Sequence, residues 1–166
     1  MKLDLMTGGT RLNTIQQLAR HAAESGHSGL VITEAGRTAY LSCAAAALAA
    51  DIDLLTGIAV AFPRSPMVTA QIAWELADAT DGRFRLGLGT QVRAHIERRY
   101  SATFDPPGPR IRDYIGAVRA CFDAFRGASP LDYHSDHHEL TPLPPIQPPA
   151  PTSAPHPPTH PPAANP

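Results

Sequence analysis

The sequence predicts an α/β fold in which parallel strands alternate with helices. Strand-like and helix-like segments alternate along the chain, and successive strands begin roughly every 25–30 residues, as expected for βαβ units. Residues 30–32 (Leu-Val-Ile) form a continuous apolar run, which is typical of a strand covered on both faces of a parallel sheet. Residues 142–166 contain twelve of the eighteen prolines and no Asp, Glu, Lys or Arg. The core must therefore come from residues 1–141.

The first strand–helix unit lies before residue 27. Leu3 and Leu5 predict a short strand. Thr14 followed by Gln17 has the spacing of a capping box, so we expect the first helix to begin at Thr14 and to stop at Gly26. The apolar positions of this segment fall on one helical face, which is formed by Ile15, Leu18, Ala19, Ala22 and Ala23.

The second and third units follow the apolar run at residues 30–32. The alanine-rich residues 40–50 predict a helix, and residues 53–60 predict a third strand. Ser65 and Pro66 form an N-cap and first-turn pair that opens the third helix, which Gly82 terminates.

A fourth strand is predicted from Phe84 into the segment Gly87-Leu88-Gly89. That segment lacks the third glycine and the acidic partner of a dinucleotide-binding loop. Two architectures remain, a doubly wound open sheet and a (β/α)8 barrel, and the length of the chain alone favours the open sheet. A later helix carries one apolar stripe, made of Ile111, Tyr114, Ile115, Val118, Phe122 and Phe125.

Composition excludes several classes of partner. The formal net charge of −1 offers no basic field for nucleic acid or an anionic membrane surface, and no apolar run is long enough to span a bilayer. Cys43 and Cys121 lie far apart and outside any CxxC pattern, so we expect buried, inert thiols in a reducing cytoplasm. The amino terminus lacks the apolar segment of a secretory signal.

A few polar residues lie at positions where catalytic or binding groups are expected. Glu34 ends an apolar strand, where a carboxylate can act as an acid or base or can simply be a solvated loop residue. His95 is either a hydrogen-bond donor to substrate or a surface residue, and Arg64 is either an anion-binding group or a solvated loop residue. The set His134, Asp136, His137 and His138 is better explained by a polar hairpin than by a metal site, because neighbouring strand residues point to opposite sides.

Three segments in order resemble the luciferase-like monooxygenase superfamily, and within it the oxidoreductases that use coenzyme F420. They are residues 56–67, 81–92 and 95–100. The resemblance covers residues 1–141. Because members of this superfamily are (β/α)8 barrels of roughly twice this length, it implies the first four βα units of a barrel. Residues 142–166 are then expected to be an unrelated, disordered, Pro-rich tail.

The resemblance also implies a function and a set of site residues. The expected activity is hydride transfer between F420, or alternatively FMN, and an unidentified small organic substrate. Residues 59–60 correspond to the family's non-prolyl cis peptide. The expected catalytic residues are Glu34 and His95, and the expected cofactor-binding residues are Ala59, Val60, Ala61, Gly89, Thr90 and Gln91.

The alternative is a truncated or frameshifted, non-catalytic half barrel. Its first and fourth strands would be open edges, so we expect a homodimer or another form of self-association. The change of composition near residue 141, with thirteen arginines against one lysine in the whole chain, fits a shifted reading frame in GC-rich DNA.

Overall fold

The computed structural model describes residues 2–141 of the chain. Strands and helices follow one another, and the described part ends in a short hairpin. The strands are β1 (Asp4–Gly8), β2 (Gly29–Thr33), β3 (Asp53–Thr56), β4 (Ala59–Val60), β5 (Phe84–Arg85), β6 (Leu88–Gly89), β7 (Tyr133–His134) and β8 (Glu139–Leu140). The helices are α1 (Leu12–Glu24), α2 (Ala39–Ala47), α3 (Pro66–Ala79), α4 (Arg93–Arg99) and α5 (Pro107–Phe125). The predicted disordered tail, residues 142–166, lies outside the described residues.

The central sheet is parallel and its strand order follows the chain. The order is β1-β2-β3-β5, and β4 and β6 form a second parallel ladder. One row of the register runs from Leu5 through Leu30 and Leu54 to Phe84. A doubly wound sheet reverses its order at a switch point, and the strands within residues 2–141 show no such reversal. The sheet therefore confirms the predicted α/β fold, as the first four βα units of a (β/α)8 barrel.

The third and fourth strands are each broken, although we predicted each as continuous. β3 stops at Thr56, and the chain pairs again in β4 after the Gly57–Ile58 peptide. At the same level, the Thr56 hydroxyl donates to the carbonyl of Gly87 and accepts from its N–H, both at 2.8 Å. The Thr56 hydroxyl thus takes the place of backbone hydrogen bonds between the two strands at this level. The break after β3 and the break after β5 therefore lie side by side.

Two predicted helix boundaries are wrong. α1 begins at Leu12 with an extended Arg11 as its N-cap, so Thr14 lies inside the helix and caps nothing. α2 ends at Ala47, before the predicted end at residue 50. The predicted cap of α3 is confirmed, because the Ser65 hydroxyl accepts from the Val68 N–H at 3.2 Å.

The core lies between the sheet and one layer of helices. α1 contacts α2, α2 contacts α3 and α3 contacts α5, so the helices follow the strand order on one face. The row Leu30, Leu54 and Phe84 is fully buried beneath them, and Cys43 and Cys121 are buried as predicted. No helix among residues 2–141 is long and apolar enough to cross a membrane.

Candidate functional site

The carboxyl ends of the parallel strands meet at one edge, which we call the strand-end rim. Glu34 follows β2, Ala61 follows β4, and Thr90 follows β6. In parallel barrels, binding and catalytic groups are placed on this edge, because every strand there ends in a loop. The rim is therefore where the predicted site residues have to be examined.

Glu34 and Arg64 hold the backbone of Val60 from both sides. The Glu34 Oε2 atom accepts from the Val60 N–H at 2.7 Å and from Arg64 Nη1 at 3.0 Å. Arg64 Nη1 also donates to the Val60 carbonyl at 2.7 Å, and Arg64 Nη2 pairs with Glu34 Oε1. Both polar groups of one residue are thus bound by two side chains that also bind each other. We call this arrangement the Glu34–Arg64 clamp.

The clamp is buried and Arg64 is held by further contacts. The Glu34 side chain is 4% exposed and that of Arg64 is 19% exposed. The guanidinium lies over the Tyr40 ring at 5.0 Å from its centroid and donates to the Thr38 hydroxyl at 3.3 Å. Burial opposes the charge of Arg64, but the Glu34 carboxylate outweighs it and raises the Arg64 pKa above its ordinary value. Arg64 is therefore charged, and both Glu34 oxygens are occupied as acceptors.

The non-prolyl cis peptide lies two residues earlier than we predicted. It joins Gly57 to Ile58, not residues 59–60. Ala59 and Val60 are already back in a parallel ladder with β6, which needs regular extended backbone, so the irregular bond falls in the gap between β3 and β4. The Ile58 side chain is 36% exposed at the rim.

The six predicted cofactor-binding residues divide into two groups. Ala59, Val60 and Ala61 are fully buried within the core, whereas Gly89, Thr90 and Gln91 are partly exposed at the rim. The Ala61 N–H donates to the Gly89 carbonyl at 2.9 Å, so the first group supports the second. Contact of either group with a cofactor stays a prediction.

Two glycines bring bulky side chains close to the backbone of the rim. A Cβ at Gly89 would lie 2.8 Å from Ile58 Cγ1, and a Cβ at Gly57 would lie 2.4 Å from Val31 Cγ1. The spaces that side chains would fill at these glycines are therefore occupied by Val31 and Ile58, and Ile58 itself is 36% exposed.

His95 lies in the first turn of α4 and is partly exposed. Its Nδ1 atom is buried and has no hydrogen-bond partner among the described residues. Because buried polar atoms are normally paired, this nitrogen has the capacity to bind an additional group. The predicted catalytic roles of His95 and Glu34 stay predictions.

The histidine-rich segment forms the polar hairpin that we predicted, from β7 and β8. His134 pairs with Asp132 at 2.8 Å, and the Asp113 carboxylate of α5 accepts from Tyr133, Ser135 and the His137 N–H. Within the part of the chain that the structure describes, no group of three or more His, Cys, Asp or Glu side chains is arranged to hold a metal ion. The carboxylate therefore fixes the hairpin to the helix.

Four parallel βα units in sequential order, with a polar clamp at the strand ends, define an α/β protein of the (β/α)8 type. The chain belongs to the luciferase-like monooxygenase family, whose model matches residues 2–166. That match continues through residues 142–166, beyond residue 141, where the resemblance was expected to end.

Relatives of known sequence are much longer than this chain. The chain is 36% identical to an uncharacterized protein of Mycobacterium tuberculosis and equally to one of Mycobacterium bovis, and each comparison covers 76% of this chain and 40% of the relative. The chain therefore spans about two fifths of the length of the curated relatives that it matches.

Solved structures share the fold at low sequence identity. One is the coenzyme F420-dependent tetrahydromethanopterin reductase of Methanopyrus kandleri (TM-score 0.69, 19% identity), with 83% of this chain and 44% of that chain covered. A second is the oxygenating constituent of 3,6-diketocamphane monooxygenase of Pseudomonas putida in complex with FMN (TM-score 0.71, 16% identity). That comparison covers 86% of this chain and 44% of that chain. A third is an F420-dependent secondary alcohol dehydrogenase (TM-score 0.68, 16% identity). That comparison covers 93% of this chain and 49% of that chain.

Sequence reasoning missed the partner of Glu34. Arg64 was left open as an anion-binding or solvated residue, and its ion pair spans thirty positions. The available signal was that each residue lies in the loop after a predicted strand, residues 30–32 or residues 53–60, since such loops converge at the rim of a parallel sheet.

Proposed function

We propose that this chain forms the ring-binding side of the cofactor site of an oxidoreductase that transfers a hydride between coenzyme F420 and a small organic substrate. FMN is the alternative cofactor. The observation that carries the proposal is the strand-end rim, where the exposed Ile58 packs over Gly89 and the Glu34–Arg64 clamp fixes the Val60 backbone. Family membership and the cofactors of the solved neighbours support the same class.

The residues of the rim suit a planar, mostly apolar ring. Gly57 and Gly89 leave room for the side chains of Val31 and Ile58, and Ile58 offers an apolar group that is 36% exposed. Thr90 and Gln91, both partly exposed, would place polar groups beside the ring edge. When bound, the deazaflavin or flavin supplies the hydride acceptor and donor.

The chain's own residues have two kinds of role. Glu34 and Arg64 act as positioning residues, because they bind the Val60 backbone and each other. His95 is the residue proposed to hold or pass a proton, since its buried Nδ1 has no partner within residues 2–141. The acid–base role predicted for Glu34 would require one of its oxygens to leave Arg64 or the Val60 N–H.

The test is a fluorescence titration of the full 166-residue chain with F420 and, separately, with FMN. We expect saturable binding, tighter for F420, and at least a tenfold weaker affinity for Gly89→Val, whose side chain would displace Ile58 from the ring surface. Gly108→Ala is the matched control, because a Cβ there meets no atom within 4 Å. If neither cofactor binds, or if Gly89→Val binds as well as the original chain, the proposal is wrong and a non-catalytic chain is favoured.

His95→Gln separates proton handling from binding. We expect unchanged cofactor affinity and a loss of turnover with any substrate that a screen identifies, because glutamine keeps hydrogen bonding but not the basic nitrogen. A variant with full turnover would remove His95 from the mechanism.

The expected compartment, the cytoplasm, stays a prediction of the sequence.

A further inference from the structure

A pair of hydroxyl groups lies in the core between α3 and α5. The hydroxyl oxygens of Thr69 and Tyr114 are 2.6 Å apart, and the two residues are 0% and 1% exposed. Burying a hydroxyl costs stability unless it is hydrogen-bonded, and valine and phenylalanine would fill the same space without that cost. A polar pair at this position therefore indicates a specific contact rather than simple packing.

The Tyr114 hydroxyl also reaches the start of α3. It donates to the Ser65 carbonyl at 3.3 Å, and the same carbonyl accepts from the Thr69 N–H at 3.1 Å. A hydroxyl has only one proton, so Tyr114 accepts from the Thr69 hydroxyl while it donates to Ser65. The three residues thus form a closed set of three hydrogen bonds, which we call the hydroxyl triangle.

The hydroxyl triangle keeps its protons and lies next to the clamp. Burial raises the pKa of Tyr114 to about 12, and the hydrogen bond from Thr69 and the charge of Arg64 oppose that rise only in part. Tyr114 is therefore a neutral donor at any pH at which the chain is folded. The action of the Arg64 charge on this hydroxyl places the triangle beside the guanidinium.

The loop that carries Arg64 is short and is fixed at both ends. Its first residue, Ala61, donates its N–H to the Gly89 carbonyl at 2.9 Å, and the Arg64 N–H donates to the Ala61 carbonyl at 3.0 Å. Its last residue, Ser65, is bound by the hydroxyl triangle through its carbonyl. Because Ser65 follows Arg64 directly, a shift of the Ser65 carbonyl would move the guanidinium away from Val60.

We propose that Thr69 and Tyr114 are positioning residues, whose hydroxyl pair holds the Ser65 carbonyl and so keeps Arg64 on the Val60 backbone. Both lie in the helix layer and act on the strand-end rim through Arg64. Helix α5 thereby takes part in shaping the rim. The effect on Val60 is independent of the proposed function, whereas an effect on cofactor affinity rests on it.

The test is hydrogen exchange of the full chain without cofactor, measured as the exchange rate of the Val60 amide relative to that of Leu54. The Leu54 N–H donates to the Arg83 carbonyl at 3.0 Å, at the start of β3. Thr69→Val keeps the shape of the side chain and removes its hydroxyl, so it should raise this ratio about fivefold, as expected for one lost hydrogen bond. Tyr114→Phe should raise it equally. A loss of global stability alone would accelerate both amides together.

Two further variants separate positioning from packing. Thr69→Ser keeps the hydroxyl and should leave the ratio close to that of the original chain. Tyr133→Phe removes a different hydroxyl bound to α5, since the Tyr133 hydroxyl donates to the Asp113 carboxylate at 2.7 Å, and it should also leave the ratio unchanged. An unchanged ratio in both Thr69→Val and Tyr114→Phe would overturn the proposal. An equal rise in Thr69→Ser or Tyr133→Phe would overturn it as well.

A cofactor titration tests the last step separately. If the original chain binds F420, Thr69→Val should weaken that binding about threefold, because part of the change at Val60 reaches the rim. Unchanged affinity would refute the effect of the hydroxyl triangle on the site. If the original chain binds neither F420 nor FMN, the proposed function is wrong, and the exchange ratio alone still decides whether Thr69 and Tyr114 position Arg64.

Discussion

Glu34 and Arg64 bind the two polar groups of one backbone residue, Val60, and bind each other. The Glu34 carboxylate accepts a hydrogen bond from the Val60 N–H, and the Arg64 guanidinium donates one to the Val60 carbonyl, both at 2.7 Å. Glu34 follows β2 and Arg64 precedes α3, so the clamp joins two successive βα units at the rim. The strand β4 is thereby fixed at the rim.

Glu34→Gln should destabilise the chain by about 3 kcal/mol, because it leaves the charge of a largely buried arginine without a partner. Chemical denaturation followed by circular dichroism measures this. Asp105→Asn is the matched control, since it removes the carboxylate from an Arg93 pair whose side chains are both about half exposed, and it should leave the melting temperature nearly unchanged. Equal losses in the two variants would show that the clamp contributes no more than a surface pair.

The same variant distinguishes positioning from acid–base chemistry. Amide hydrogen exchange of Val60 should be slow in the original chain and faster in Glu34→Gln, because the charged acceptor of that N–H is lost. Slow exchange in both proteins would mean that Glu34 does not hold this backbone, and its acid–base role would then be the better hypothesis.

Gly87→Ala should destabilise the chain by about 3 kcal/mol through overpacking. A Cβ at this position would lie 2.1 Å from the Thr56 carbonyl oxygen, a backbone atom that cannot rotate away. Gly108→Ala, in a helix and with no atom within 4 Å, should instead be neutral or stabilising by about 0.5 kcal/mol. Thermal melts of both variants measure these changes in stability. A Gly87→Ala variant as stable as the original chain would contradict the side-by-side strand breaks.

The hairpin should loosen from α5 as the pH falls. Burial lowers the pKa of His138 below 6.5, so the fold favours the neutral imidazole, and its contribution to stability is lost as the pH drops below that value. Burial opposes the charge of Asp113, but hydrogen bonds from Ser135, Tyr133 and the His137 N–H outweigh it and lower the Asp113 pKa below 3.8. Its contribution is therefore lost at still lower pH.

Hydrogen exchange of residues 133–140 between pH 7 and pH 3, corrected for the intrinsic exchange rate, measures both losses of stability. The first step is the protonation of His138 and the second is that of Asp113. We expect His138→Phe to remove the first step, because phenylalanine keeps the edge contact with the Tyr114 ring and cannot be protonated. Asp113→Asn should weaken the hairpin already at neutral pH and remove the second step. A pH-independent hairpin would show that neither group holds it.

Both thiols should be unreactive in the folded chain. Burial raises the pKa of Cys43 to about 12 and that of Cys121 to about 11, and both are fully buried. Ellman's reagent at pH 8 should detect no fast thiol in the native chain and two in guanidinium. Leu48→Cys, at a position that is 81% exposed, should add one fast thiol. A fast reaction of the original chain would contradict the packing of α2 or α5.

The fold could be predicted because it depends on patterns that are local in sequence. The apolar run of β2 and the Ser65-Pro66 pair each encode an element within a few residues, and both predictions were confirmed. The capping box at Thr14 failed because the helix already begins at Leu12, after an extended Arg11 that supplies no side-chain cap.

The site was less predictable because its geometry depends on contacts between distant residues. The Glu34–Arg64 pair spans thirty positions, and the Thr56 hydroxyl bridges to Gly87 across thirty-one. The placement of the cis peptide depends on where the ladder of β3 breaks, which no local motif specifies. Sequence alone could therefore place residues on the rim but could not pair them.

The central claim is that the rim at Gly57, Ile58, Gly89, Thr90 and Gln91 accepts the ring of a deazaflavin or flavin. Amide chemical shifts of the full chain during titration with F420 test it most directly. We expect saturable shifts at these five residues and none at Asp51 and Arg83, which precede β3 and β5 at the opposite end of the sheet. Saturable shifts confined to that opposite end, or none at saturating F420 and FMN, would contradict the account.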